Sequence, residues 1–198
     1  LWLQQNTHAS LNWALSIEDR KVKESTFEVL LPVWVMQSPT ECGAWIIENQ
    51  DISELNIGIE KAIQLRADIS PYHAIKLALQ LTEREFRRSA LLTVFRIWAK
   101  SAPEQATSYL DDLKALPEFE EILLEVSLVW GDQNIFQAAD WLMGSKFDEK
   151  RVVLSLVVRR AAVRRPKECL KWIFTSIAPE EREGMMEEAV FSAIGSHK

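Results

Sequence analysis

Eight cations crowd residues 150–171 of this 198-residue chain: Lys150, Arg151, Arg159, Arg160, Arg164, Arg165, Lys167 and Lys171, opposed in that stretch only by Glu168. A guanidinium is planar and can donate two parallel hydrogen bonds to a carboxylate or phosphate, so clustered arginines suit recognition of an acidic ligand. Arg159, Arg160, Arg164, Arg165 and Lys167 are therefore the candidate ligand-binding residues. Two readings stand for them. They could take an acidic ligand, or they could pair with the glutamates that follow (Glu180, Glu181, Glu183, Glu187 and Glu188), and the convenient match of sign favours this second reading. Nucleic acid is a third occupant for the same patch, but a formal net charge of -6 and a pI near 5.2 set the bulk field against phosphate.

The other chemistry-bearing residues are sparse. His8, His73 and His197 are the only histidines, and no HExxH or CxxC spacing occurs, so no metal site is expected. There is no GxSxG elbow, no glycine-rich phosphate loop and no dinucleotide fingerprint, so no catalytic residue and no cofactor are assigned. Cys42 and Cys169 are too few for a disulfide framework. The tryptophans could stack a ligand, but their regular spacing reads more simply as core packing.

That spacing comes from the elements that must position these residues. Laid on itself at a shift of 32, the chain aligns Trp2, Trp34, Arg66, Trp98 and Trp130, and one deletion brings Ala161 into the same column. A second column holds Trp13, Trp45, Leu77, Tyr109, Trp141 and Trp172. A third marks a turn: Thr7, Pro39, Pro71, Pro103, Ile135 and Pro166. A fourth is small: Ser10, Cys42, Ala74, Ala106, Ala138 and Cys169. Every tryptophan falls in the first two columns, and chance would scatter them.

Two column-breakers stand out. Arg160 occupies a position held elsewhere by Val33, Leu65, Ile97 and Val129. Arg66 replaces a tryptophan; it could pair with Glu60 or Asp68, or open a groove in its unit, and it joins the candidate ligand-binding residues. The two cysteines share a column four units apart, on the order of 40 Å if each unit advances the stack by about one helix diameter. A disulfide needs Cα atoms within about 7 Å, so no bridge between them is expected.

Each unit reads as two helices. The first carries apolar residues at i, i+3, i+4 and i+7, as in Phe27/Leu30/Leu31/Trp34. The second opens at the proline column, since a proline at the first helical position loses an amide that would be unpaired there anyway. Ser38 with Glu41 fits a capping box, and Pro32 should kink or shorten its helix. Leu116-Pro117 and Ala178-Pro179 read as starts of first helices. The expected fold is all-α, a single superhelical α-solenoid segment over 1–198. A partial unit covers 1–17, repeats cover about 21–50, 53–81, 84–114, 117–145 and 148–177, and a partial or capping helix covers 179–194.

Such an array resembles the α-solenoid class of tetratricopeptide and HEAT repeats. The likeness is architectural and spans essentially the whole chain. Tetratricopeptide units are longer, about 34 residues, and carry their proline near the unit end; HEAT units run to about 40–47. The resemblance implies a non-enzymatic scaffold for a protein or peptide partner, with an enzyme's helical accessory domain as a further reading. The ends cut across units, so a segment of a longer solenoid is expected, and open ends could self-associate. No run of about 18 apolar residues occurs and no basic-then-apolar leader opens the chain, so no membrane insertion is expected and the cytoplasm is the favoured compartment.

Overall fold

The computed structural model describes the backbone of residues 7–195 and the side chains of residues 9–195. Trp2 and His197, and the side chains of Thr7 and His8, lie outside the described residues. The chain is all-α, with twelve α-helices, two short 3-10 segments and no strand among the described residues. The helices are α1 (Thr7–Leu15), α2 (Arg20–Gln37), α3 (Pro39–Asn49), α4 (Asn56–Ile69), α5 (Pro71–Ala78), α6 (Arg84–Ser101), α7 (Pro103–Ser108), α8 (Phe119–Gln133), α9 (Ile135–Gly144), α10 (Lys150–Arg164), α11 (Pro166–Ser176) and α12 (Pro179–Gly195). The 3-10 segments, Ser53–Leu55 and Leu110–Leu113, were not anticipated from periodicity.

The chain divides into two compact units, Leu1–Ile97 and Trp98–Lys198. Within the first, α2 packs chiefly on α4, and α4 on α5, burying Phe27, Leu31, Ile59, Ala62 and Ile63. Within the second, α8 packs on α10, α10 on α12, and α9 on α11. Its core holds Ile122, Leu123, Val126, Val157, Val158 and Ile173.

Five turns share one geometry. Ser38, Ser70, Ala102, Asn134 and Arg165 have φ from -137° to -151° and ψ from 60° to 96°. Each donates its backbone N–H to the residue four before it (Trp34, Arg66, Trp98, Trp130 and Ala161) at 2.7–2.8 Å. Each accepts, on its own carbonyl, the N–H of the residue four after it (Cys42, Ala74, Ala106, Ala138 and Cys169) at 2.9–3.2 Å. One residue thus ends one helix and begins the next, and at four of the five turns (all but Asn134, which Ile135 follows) the proline behind it gives up only an amide that had no intrahelical partner.

Two local expectations are corrected. Ser38 makes no side-chain cap bond, so the capping box with Glu41 is absent. Its ψ of 71° is shared with the end of α2 and is not the extended setting in which a hydroxyl reaches forward; Asn134, at ψ 96°, does accept from Gln137 N at 3.2 Å. Pro32 does not shorten its helix, because α2 runs unbroken to Gln37. Proline removes one backbone bond there, and the burial of Phe27, Leu31, Trp34 and Val35 on either side holds the helix together. Pro179 opens α12, whereas α8 begins at Phe119, two residues past Pro117.

The described first-column indoles are buried, and those of the second column vary. Trp34, Trp98 and Trp130 are buried at 3%, 9% and 4% exposure. Trp172 is fully buried, Trp45 and Trp141 are half-buried, and Trp13 is exposed. Ring pairs eleven residues apart bridge three of the five turns: Trp34 with Trp45 at 5.9 Å between centroids, Trp98 with Tyr109 at 5.8 Å, and Trp130 with Trp141 at 5.9 Å.

Candidate functional site

The arginine cluster lies on α10 and the turn after it, and most of its charge is already engaged. Arg160 donates from Nε and Nη2 to the two carboxylate oxygens of Asp132 on α8, at 2.9 and 2.6 Å. This two-pronged bond to Asp132 raises the guanidinium pKa further above its ordinary range. Arg164 Nη1 reaches the same carboxylate at 2.5 Å. Arg159 Nη2 lies 3.0 Å from Glu188 Oε1 on α12, which also accepts from Ser155 Oγ at 2.6 Å. Arg165 Nη1 donates to Glu168 Oε2 at 3.1 Å and to the Gln133 carbonyl at 3.3 Å. Lys167 is exposed and makes no ion pair among the described residues.

The principal carboxylate is therefore Asp132, on the preceding long helix, and the acidic helix α12 supplies only Glu188. Sequence reasoning missed Asp132, although a spacing signal was there: it precedes Arg164 by 32 residues, one repeat interval. Replacing Asp132 with asparagine is expected to lower stability by about 1–2 kcal/mol, because two guanidinium groups lose a charged acceptor. The urea midpoint checks this, and an unchanged midpoint would mean that solvent screens the pairs completely.

Arg66, on α4, is different. Its Nε is buried without a hydrogen-bond partner, and neither Glu60 nor Asp68 pairs with it. It lines a cavity of about 420 Å³ together with Thr40, His73, Lys76, Leu77 and Gln80. Ser70 Oγ lies 2.6 Å from His73 Nδ1, leaving Nε2 as the ring's second site. Lys76 Nζ sits 4.4 Å above the Tyr72 ring. The structure thus places Arg66 in the first unit and the other five candidates in the second.

The remaining reactive groups are occupied by packing. Burial pushes the Cys42 thiol up to about 12 and the Cys169 thiol to about 11. Both are free, and they donate to the Leu31 and Val158 carbonyls at 3.9 and 3.6 Å. A thiol held protonated in this way is a poor nucleophile. Among the described residues no group of three or more His, Cys, Asp or Glu side chains is placed to hold a metal ion, and no helix is long and apolar enough to cross a membrane. Compared with family models, curated proteins and solved structures, the chain shows no match.

Proposed function

We propose that the chain is an α-solenoid of helical hairpins that serves as a non-enzymatic interaction scaffold for a peptide or protein partner. The observation that carries this reading is the recurrence of one turn geometry at Ser38, Ser70, Ala102, Asn134 and Arg165, with the same two backbone bonds each time. A hairpin of this kind cannot bury both faces alone, and stacking against its neighbours completes the core. Polar contacts one interval apart support it: Thr82 N to Gln50 Oε1 at 2.8 Å, Trp172 Nε1 to Asp140 Oδ1 at 2.9 Å, and Arg165 to the Gln133 carbonyl, each spanning 32 residues. In this reading Arg160 and Arg164 brace α10 against α8, and Arg159 braces it against α12. Proteins built this way present long side-chain surfaces rather than one deep catalytic cleft.

Affinity capture from a native lysate, with and without nuclease, tests the proposal when followed by rebinding with purified components. A protein that survives nuclease and rebinds the purified chain saturably is the expected result. Retention that disappears with nuclease would replace it with nucleic-acid binding.

A further inference from the structure

The cavity beside Arg66 arises where two columns change together. At the Ser38, Ala102 and Asn134 turns a ring pair fills the space between a long helix and the short helix after it, and at the Arg165 turn the fully buried Trp172 stands opposite Ala161. Between α4 and α5 the corresponding residues are Arg66 and Leu77, and both line the cavity. The substitution removes two large aromatic groups and puts a guanidinium in their place.

The wall that results is cationic in an acidic protein. Arg66, His73 and Lys76 all contribute to it, Thr40 and Gln80 add polar groups, and no carboxylate is among its described lining residues. Arg66 lines the cavity with no carboxylate among the described residues paired to its guanidinium, so its charge there is uncompensated and suits an oxyanion. Pro39 and Thr40 bring the start of α3 to the same wall, and that helix has no side-chain cap on its first-turn amides. Uncapped amides and the positive end of the helix favour an anion there.

We propose that this cavity is an oxyanion site that receives a phosphomonoester carried by the protein partner, held by Arg66 and Lys76 with His73 and the first turn of α3. A phosphomonoester carries about -1.5 to -2 charges near neutral pH, which matches two permanent cations better than a single carboxylate does. The site rests on the scaffold reading only for what carries the phosphate.

Inorganic phosphate is the probe, titrated into the ¹⁵N-labelled chain at constant ionic strength, with acetate as the comparison. Saturable shifts at the Thr40, Gly43 and His73 amides are expected, with acetate binding at least about tenfold more weakly. Arg66→Gln should abolish these shifts with the melting temperature little changed. Arg66→Trp, which restores the aromatic column and fills the cavity, should also abolish them while keeping or raising that temperature. Absence of saturable shifts in the unmodified chain, their persistence in both variants, or acetate binding as tightly as phosphate would each overturn the site. Phosphate binding here with no captured partner would defeat the scaffold reading alone. Once a partner is in hand, phosphatase treatment should weaken its rebinding about tenfold, as should Arg66→Gln; an unchanged affinity after either would reject the phosphomonoester.

Discussion

Gly58→Ala is expected to destabilise the protein by about 2 kcal/mol, an unusual outcome for a substitution that favours helix. Gly58 is buried near the start of α4, where that helix meets α2. A Cβ added there would lie 2.7 Å from the Phe27 carbonyl carbon, closer still to its oxygen, and 3.1 Å from Leu31 Cδ1. The first two obstacles are backbone, so no rotamer change relieves them and the helices must separate along the face that buries Phe27, Leu31, Ile59 and Ile63. Overpacking of this kind costs about 1–3 kcal/mol and more where backbone must move, against a gain of roughly 1 kcal/mol in helix propensity. Gly184→Ala is the control: nothing lies within 4 Å of its added Cβ, so the propensity gain should appear alone. Urea denaturation of both variants checks the pair, and equal shifts of the same sign would show that α2 and α4 are not locked at Gly58.

These two glycines mark what one-dimensional reading can and cannot reach. The neighbours of Gly58 in sequence do not reveal how close the Phe27 backbone comes; only the packed α2 does. Pro39, Pro71, Pro103 and Pro166 each open a helix, because a proline at the first helical position acts within its own turn. Pro32 leaves α2 at its full length, since the fate of an interior proline depends on what holds the helix on either side. The arginine cluster was visible as composition, yet its main partner Asp132 belongs to another helix and becomes apparent only when α8 and α10 are side by side. Arg66 was legible as a broken column. That the break leaves a cavity rather than an ion pair was not, because it depends on Leu77, Lys76 and His73 arriving from α5.

Trp172→Ala should produce the largest loss, about 3–5 kcal/mol, the range for removing a large buried aromatic. Trp172 is fully buried, more so than Trp45 or Trp141 in the same column. Eleven residues before it stands Ala161, where Trp45 and Trp141 have Trp34 and Trp130 as ring partners. With no first indole to share the space, Trp172 sinks completely, and its packing must be replaced by nothing when it is truncated. Its indole N–H donates to the Asp140 carboxylate on α9 at 2.9 Å. Trp172→Phe retains most of the packing and removes that donor, so it should cost much less than the alanine. A double-mutant cycle of Trp172→Phe with Asp140→Ala isolates the hydrogen bond, and a coupling of about 0.5–1.5 kcal/mol is expected. Additive losses would assign the stability of this position to volume alone and leave Asp140 without a part in joining α9 to α11.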